Sequence, residues 1–308
     1  MMGKRLVIIL GPTGVGKTDY SIELALRYGS PVISCDSRQI YREMSIGTAV
    51  PSPSQLAAVK HYFIQSHTVS ELYTAGRYEV EALELINRLF ADGHDTLVMA
   101  GGSGFYIDAL VNGLDDFPPA DLALRNELTE RLRLEGVEPL LAELRVLDPE
   151  TCMSIDVANG QRVVRALEVC LMTGRPFSSF KTSPQKQRSF DIEKIGLVRP
   201  REILYERINR RVVAMVDDGL VEEARSLESF RNLAALQTVG YKELFAWFDF
   251  QKGLVPPPVQ GGLPVAGDGP VTTLDRAVEL IQRNTRHYAK RQLSYWGRDK
   301  SIKWTELG

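Results

Sequence analysis

A glycine-rich octapeptide near the N-terminus constrains the fold of this chain more than any other feature. The pattern G-x-x-x-x-G-K-[ST] is matched in full by Gly11-Pro12-Thr13-Gly14-Val15-Gly16-Lys17-Thr18. An apolar run at Arg5–Leu10 precedes it and a helical pattern at Lys17–Tyr28 follows, so the sequence predicts a strand, a tight loop and a helix.

Such a loop surrounds an anion with backbone N–H groups at the positive end of a helix. Lys17 adds a full positive charge, and the Thr18 hydroxyl is suited to ligate Mg²⁺. A pyrophosphate ester satisfies this cradle as well as a nucleotide does. The motif therefore predicts a polyphosphate ligand without identifying it.

Short apolar runs alternate with helical patterns elsewhere in the chain. Strands are predicted at residues 31–35, 96–100 and 192–198, and helices at 77–91, 200–217 and 276–295. Thr273 or Asp275 is expected to cap the last helix. The alternation predicts an α/β fold, with a P-loop NTPase-like parallel sheet flanked by helices and ligands at the carboxyl ends of the strands.

The pattern changes between residues 121 and 174, where helical periodicity continues without a convincing strand. We predict a mainly helical insertion at 116–189 within a catalytic core formed by 1–115 and 190–308. Residues 253–273 are rich in Pro, Gly and Val without periodicity, which predicts a flexible loop within that core.

Composition narrows the class of protein. The 308 residues are 44% hydrophobic and 25% charged, as in a soluble globular protein, and no apolar stretch approaches the length of a membrane span. The apolar run before the loop is too short for a signal peptide, and the three scattered cysteines predict neither a disulfide framework nor a zinc site. We expect a cytoplasmic protein without membrane association.

The formal net charge of −2 argues against indiscriminate coating of nucleic acid, yet cations cluster near the C-terminus. They are Arg283, Arg286, Lys290, Arg291, Arg298, Lys300 and Lys303. This cluster is either a solvated helix face or a nucleic-acid surface.

Polar residues follow two of the predicted strands. Asp36 ends one strand and is followed by Ser37-Arg38-Gln39; its carboxylate could bind magnesium or cap the next helix. Gly101-Gly102-Ser103 follows another strand, where paired glycines allow a ligand to approach the backbone closely or form a tight turn into a helix.

Further motifs extend over nearly the whole chain. Besides the loop, they are 36–41, Ile46-Gly47-Thr48-Ala49, 101–106, Gln161-Arg162-Val163-Val164-Arg165-Ala166-Leu167-Glu168, Val239-Gly240-Tyr241-Lys242-Glu243 and 285–293. In order and spacing the sequence resembles the tRNA dimethylallyltransferase family. Val50 departs from the family pattern, which usually has Lys after Gly-Thr-Ala.

The resemblance implies transfer of a dimethylallyl group from dimethylallyl pyrophosphate to the exocyclic N6 amine of the adenosine 3′ of the anticodon, tRNA position 37, with release of pyrophosphate. It implies Mg²⁺ as cofactor and the anticodon stem-loop of tRNA as partner, and we expect a monomer. By resemblance Asp36 is the general base, Thr18 holds the metal, and Arg211 binds the pyrophosphate with residues 11–18. Helical spacing alone does not distinguish Arg211 from Arg207 and Arg210.

The resemblance also implies a set of tRNA contacts: Asp36, Ser37, Arg38, Gln39, Ser103, Arg125, Gln161, Arg162, Val163, Val164, Arg165, Gln237, Thr238, Val239, Gly240, Tyr241 and Lys242. Arg162 and Arg165 could instead form the polar face of a helix. The basic C-terminal cluster is then favoured as a phosphate-contacting surface, which predicts salt-sensitive binding of tRNA.

Three other functions remain open from the residues alone. An ATP-dependent small-molecule kinase shares the loop, the fold class and the magnesium. A nucleotide-gated RNA-binding switch is a second alternative, although the sequence lacks the Asn-Lys-x-Asp motif expected of a GTPase. An enzyme that prenylates free adenine nucleotides would need neither the helical insertion nor the basic C-terminal helix.

Overall fold

A computed structural model of the chain describes residues 3–157, 159–181, 186–254 and 269–308. The strands are β1 (Arg5–Leu10), β2 (Val32–Ser34), β3 (His61–Tyr62), β4 (Thr96–Gly101), β5 (Asp191–Val198) and β6 (Ile302–Glu306). The helices are α1 (Lys17–Tyr28), α2 (Pro53–Ala58), α3 (Ala75–Ala91), α4 (Gly104–Asn112), α5 (Leu122–Glu135), α6 (Glu138–Leu147), α7 (Pro149–Ser154), α8 (Gly160–Thr173), α9 (Arg201–Asp217), α10 (Leu220–Ser226), α11 (Tyr241–Gln251) and α12 (Leu274–Trp296).

The chain divides into two compact units. The core unit contains residues up to Gly113, then Lys186–Leu254 and Pro270–Gly308; the described part of the helical unit is mainly 114–157 and 159–181. The predicted insertion begins at residue 116, close to this boundary. The predicted flexible loop at 253–273 falls mainly on 255–268, which lie outside the described residues.

The core unit contains a six-stranded sheet in the order β3-β2-β4-β1-β5-β6, with every neighbouring pair parallel. β1 lies between β4 and β5, and Leu6 to Leu10 are at most 1% exposed. Burial on both faces explains why this strand is a continuous apolar run rather than an alternating one. The predicted α/β class with a parallel sheet is confirmed.

The sheet brings the strand-end motifs together. Leu10 at the end of β1 lies beside Gly101 at the end of β4, and Ser34 at the end of β2 pairs with Ala100. Parallel strands end at the same edge of a sheet. The segments that come after these strands, residues 11–18, Asp36 and residues 102–103, therefore begin at one edge. Ligand-binding groups in an open α/β sheet are expected there.

Local signals explain where the main helices begin and end. Gly16 (φ 109°) precedes α1 and Gly29 (φ 59°) follows it, and both conformations favour glycine. The Thr273 hydroxyl accepts a hydrogen bond from the Arg276 amide at 3.1 Å, so Thr273 caps α12, which begins at Leu274 rather than at 276.

The helical unit packs α5, α6, α7 and α8 around its own apolar core. Its buried residues include Leu128, Leu140, Leu144, Val163 and Leu167, each fully excluded from solvent. Asp121 caps α5 and Asp148 caps α7 through their side-chain oxygens. No strand occurs in the described part of this unit, as the periodicity of 121–174 predicts.

Two strands were not predicted from the sequence. β3 has two residues, too few for any pattern, and β6 lies at the sheet edge with a sequence, IKWTE, that is mostly exposed. An edge strand keeps polar residues on its open side and so lacks the apolar run of a central strand. Among the described helices, none is long and apolar enough to cross a membrane.

Candidate active site

A cavity of about 1000 Å³ in the core unit opens at the carboxyl edge of the sheet. Its walls come from the glycine-rich loop, the segments after β2 and β4, and helices α9 and α12. The predicted site residues that line it are Thr13, Gly14, Gly16, Lys17, Thr18, Asp36, Gln39 and Arg211. A cavity of this size accommodates a ligand larger than a free phosphate.

The glycine-rich loop passes close to neighbouring backbone. A Cβ at Gly11, where φ is 150°, would lie 2.7 Å from the Leu197 carbonyl oxygen, so a side chain there would displace the loop. Lys17 Nζ donates hydrogen bonds to the carbonyl oxygens of Gly11 at 2.8 Å and Pro12 at 2.9 Å. The loop thereby holds its own lysine at the cavity.

Lys17 is desolvated in this position. Burial lowers the pKa of Lys17 to about 8, and the nearby carboxylate of Asp36 opposes part of that shift. The ammonium group would therefore gain from an anionic ligand, which restores the charge partner that water no longer provides.

The structure separates the three arginines of α9. Arg210 is exposed and pairs with Glu206 at 3.5 Å, while Arg207 Nε donates to the Gly14 carbonyl at 3.0 Å. Arg211 is half-buried, with its Nε excluded from solvent, and its Nη2 donates to the Thr13 hydroxyl. Arg211, the residue predicted to bind the pyrophosphate, is thus the arginine that contacts a side chain of the glycine-rich loop.

The Arg211 guanidinium is incompletely satisfied. Its Nε is buried and has no hydrogen-bond partner among the described residues. Burial also lowers the pKa of Arg211 from its ordinary value, with Asp36 again opposing the shift. A buried, unpaired N–H of a cation costs free energy unless an acceptor fills the site, and a phosphate oxygen is such an acceptor.

Asp36 has two differently used carboxylate oxygens. Oδ1 accepts hydrogen bonds from the backbone amides of Arg38 at 2.8 Å and Gln39 at 3.2 Å, so Asp36 does cap the turn that follows β2. Oδ2 receives no hydrogen bond from the described residues. Because Asp36 also lines the cavity, one oxygen fixes the carboxylate while the other remains available to a ligand.

Ser103 connects the segments after β4 and β2. Its hydroxyl accepts from the Ser37 amide at 2.8 Å and donates to the Ser37 hydroxyl at 3.0 Å. Although Ser103 precedes α4, its side chain makes no capping hydrogen bond to that helix. Ser37, Arg38 and Ser103 stand beside the cavity rather than among the residues that line it.

Comparison with known proteins identifies the family to which these features belong. The family model described as IPP transferase matches residues 39–299. The chain is 48% identical over 301 residues to tRNA dimethylallyltransferase 2 of Porphyromonas gingivalis, covering 97% of this chain and 93% of that protein. The chain belongs to the IPP transferase family.

Solved structures agree with this assignment. The tRNA isopentenylpyrophosphate transferase of Bacillus halodurans is 34% identical, with a TM-score of 0.66 and coverage of 98% of this chain and 90% of the other. A eukaryotic dimethylallyltransferase acting on tRNA shares the fold, with a TM-score of 0.75 at 24% identity and coverage of 98% and 74%.

In this IPP transferase the helical unit carries a second group of predicted tRNA contacts. Arg125 and Arg165 form ion pairs with Glu168 at 2.6 Å and 3.0 Å, and Glu168 is fully buried. Val163 and Val164 lie in the core of the unit, which leaves only their backbone for a ligand.

Gln161 and Arg162 are exposed on the same helix. Of the predicted patch at 161–165, these two side chains are the most accessible to RNA, Arg165 is partly exposed, and the contacts themselves stay a prediction.

The predicted contacts at 237–242 include one side chain with a different use. Tyr241 is fully buried, and its hydroxyl donates to Glu223 at 2.6 Å. Glu223 also accepts hydrogen bonds from the amides of Ser45, Ile46 and Gly47 at 2.8–2.9 Å. Tyr241 thus supports the loop that lines the cavity, whereas Gln237 and Lys242 are exposed.

Gln39 makes a similar structural contribution. Its side-chain amide donates to the carbonyl oxygens of Thr48 at 3.1 Å and Ala49 at 2.8 Å. Ala49 has a positive φ of 55°, an unusual conformation for a residue with a side chain. Glu223 and Gln39 together hold residues 45–49 against the cavity.

The cavity residues that sequence reasoning missed include Tyr288 and Gln292 on α12. Desolvation of the Tyr288 hydroxyl and the nearby Asp36 raise the pKa of Tyr288 to about 12, so the phenol stays protonated and able to donate. The two residues are four positions apart and therefore share one helix face. That spacing within the 285–293 motif was the signal that could have found them.

Proposed function

We infer that this chain is a tRNA dimethylallyltransferase, which prenylates N6 of the adenosine at tRNA position 37. Family membership over nearly the full chain supports this activity. The observation that carries it in the structure is one cavity in which Lys17, Arg211 and the glycine-rich loop stand beside Asp36, the carboxylate whose charge acts on both cations. The substrates are tRNA and dimethylallyl pyrophosphate.

The geometry supports specific roles for these groups. The N6 amine attacks the allylic carbon, the N–C bond forms, and the C–O bond to pyrophosphate breaks. The N6 proton becomes acidic only as the new bond forms, and Oδ2 of Asp36 accepts it during the attack. Charge grows on the departing pyrophosphate, where loop amides, Lys17 and Arg211 are already oriented to stabilise it.

Magnesium fits the residues present. The Thr18 hydroxyl lines the cavity and makes no hydrogen bond to the described residues, so it is free to act as an oxygen ligand. The described residues contain no group of three or more His, Cys, Asp or Glu able to hold a metal by themselves. Mg²⁺ commonly binds through one or two protein oxygens together with the substrate's phosphates, so the Thr18 hydroxyl would hold the ion and the ion would neutralise phosphate charge.

The acceptor base must leave its stack to reach the cavity. A single-stranded anticodon loop allows this, because its bases can be splayed out and read on their edges. Gln237 and Lys242 in the core unit are exposed, as are Gln161 and Arg162 in the helical unit, and each pair remains a predicted contact to the stem-loop. We continue to predict that the enzyme is monomeric and cytoplasmic.

The first prediction tests the base and the reaction together. Purified protein is incubated with dimethylallyl pyrophosphate, Mg²⁺ and an anticodon stem-loop with adenosine 3′ of the anticodon, beside ATP and AMP controls. We expect prenyl transfer to the stem-loop alone, and a fall in kcat of about 10²–10⁴-fold in Asp36→Asn. Asparagine retains the Oδ1 acceptor that orders the turn, so the change removes the base without removing the cap.

Asp95→Asn is the matched control, because Asp95 is exposed and pairs with Lys4 at the surface, away from the cavity lining. Transfer by Asp36→Asn within threefold of the wild-type rate would exclude Asp36 as the base. Phosphate transfer from ATP without RNA would instead favour the small-molecule kinase.

A further inference from the structure

One buried glutamine joins the two glycine-rich turns at the cavity. Gln292 Oε1 accepts a hydrogen bond from the Thr13 amide at 2.9 Å, and its Nε2 donates to the Gly102 carbonyl at 2.8 Å. The residue is 7% exposed. A single neutral amide group thus links the phosphate-binding loop after β1 to the turn after β4.

The contacts continue on both sides of this link. On the loop side, the Thr13 hydroxyl accepts from Arg211. On the other side, Gly102 is followed by Ser103, whose hydroxyl is bonded to Ser37, and Ser37 follows Asp36. A continuous series of hydrogen bonds and peptide bonds therefore runs from Arg211, through Gln292, to the backbone of Asp36.

We propose that Gln292 is a positioning residue that sets the separation between the pyrophosphate cradle and the carboxylate of Asp36. The inference rests on the proposed function, in which the leaving group and the proton acceptor act on opposite partners of one bond-forming step. Misplacement by about 1 Å of groups that must act together can reduce a rate by about 10²-fold. The effect is therefore expected on turnover rather than on binding.

The chemistry of the position requires glutamine. One end of the side chain must accept and the other must donate, which a neutral amide does and a carboxylate does not. Methionine has a similar length and fills the same space without either hydrogen bond. Gln292→Met thus removes the link while keeping the packing of α12.

Gly102, whose carbonyl accepts from Gln292, is also needed for this link. A Cβ at Gly102 would lie 2.5 Å from Gln292 Nε2, closer than two such atoms can approach. Gly102→Ala is expected to displace the amide and weaken the link from the other side. It provides a second variant that leaves Gln292 itself unchanged.

The test compares Gln292→Met and Gly102→Ala with the wild-type chain. Gln282→Met is the matched control, because Gln282 lies on the same helix and donates at 3.3 Å to the Asn209 carbonyl rather than to a cavity loop. We measure kcat with stem-loop and donor saturating, the Kd of inorganic pyrophosphate by calorimetry, and the fraction of folded sites from the stoichiometry of that binding.

The expected result is a fall in kcat per folded site of about 30–100-fold in both variants, with the Kd of pyrophosphate raised less than fivefold. The control should stay within threefold of the wild type in both quantities. A kcat within threefold of wild type in Gln292→Met would overturn the proposal. An unchanged kcat with a large rise in the Kd of pyrophosphate would also overturn it, since Gln292 would then affect pyrophosphate binding and not the position of Asp36. Absence of transfer by the wild-type chain would instead refute the proposed function on which the inference rests.

Discussion

Lys17 and Arg211 are two half-buried cations that line the same cavity, and Asp36 is the carboxylate whose charge acts on both. Lys17 Nζ donates to two carbonyl oxygens, while the buried Nε of Arg211 has no hydrogen-bond partner in the part of the chain that the structure describes. The cavity lining contains the cations Lys17, Arg207, Arg210 and Arg211 and the carboxylates Asp19, Asp36 and Asp218, which leaves an excess of one positive charge. Under the proposed function, this charge is in place before the pyrophosphate binds, which reduces the reorganisation needed during the reaction.

This arrangement predicts how pyrophosphate binding depends on pH. The pKa of Lys17 is about 8 in the free protein, and a bound anion raises it, because the charged form gains a partner. Affinity that depends on the ammonium is therefore fully present below pH 8 and falls as pH rises through 8. The Kd measured by calorimetry between pH 7 and 9.5 should rise by up to about tenfold per pH unit above 8, with proton uptake on binding.

Lys17→Arg is the control, since an arginine keeps its charge over this range. Titration of the pyrophosphate itself is common to both proteins, so the difference between the two profiles isolates Lys17. Parallel profiles for the two proteins would show that Lys17 does not change its charge in this range.

Much of this site could be predicted at the level of the residue, and part of it could not. The anion cradle follows from the loop motif, because glycine is needed where a Cβ would strike Leu197. The choice among Arg207, Arg210 and Arg211 does not follow from spacing. It depends on which guanidinium reaches the Thr13 hydroxyl, and that is decided by the packing of α9 against the loop.

At the scale of the element, α8 combines an exposed patch with a buried charge. Glu168 on its inner face accepts a hydrogen bond from the Asp121 amide at 3.0 Å and forms ion pairs with Arg125 and Arg165. A carboxylate without solvent contact needs such partners. These contacts tie the start of α5 to α8, so the two arginines predicted to meet tRNA also help to hold the helical unit together.

Replacing this carboxylate should destabilise the helical unit. Glu168→Gln leaves two arginines without their counter-ion, and we expect a loss of about 3 kcal/mol, the low end for a broken buried pair, because both arginines retain some exposure. Urea unfolding followed by circular dichroism measures the change.

Glu143→Gln is the comparison within the same unit. Glu143 pairs with Arg131 but its side chain is 42% exposed, so its loss should cost at most about 1 kcal/mol. Equal effects of the two substitutions would contradict the structural importance assigned to Glu168.

At the scale of the whole molecule, the net charge of −2 hides an uneven distribution. Lys290, Arg291, Arg298 and Lys300 are exposed at and after the end of α12, whereas Lys303 pairs with Glu193 and Arg286 bonds to Asn209. Part of the basic cluster identified in the sequence is therefore already bonded to other side chains of the protein. Its exposed members remain available to RNA phosphates.

This distribution predicts the salt dependence of tRNA binding. Each phosphate contact to single-stranded RNA contributes about 0.7 to the slope of log affinity against log salt concentration. Lys290→Ala and Arg298→Ala should each weaken binding and reduce that slope by about 0.7. Filter binding or fluorescence anisotropy at several salt concentrations measures it.

Arg27→Ala is the control, because Arg27 is exposed and engaged in a surface pair with Glu23 at 3.2 Å. If both C-terminal substitutions leave the slope at the wild-type value, this surface is a solvated helix face, the other interpretation that the sequence left open.

The sequence by itself determined the anion cradle, the central strands and the helical character of residues 121–173. Each of these depends on local chemistry: glycine in conformations closed to other residues, continuous apolar runs, and apolar residues at helical spacing. Only the tertiary structure decided which groups meet in the cavity. The hydrogen bond between Thr13 and Arg211 joins residues 198 positions apart, and that between Thr13 and Gln292 joins residues 279 apart. Such pairs arise because parallel strands end at a common edge and bring together segments that have no local relation in the sequence.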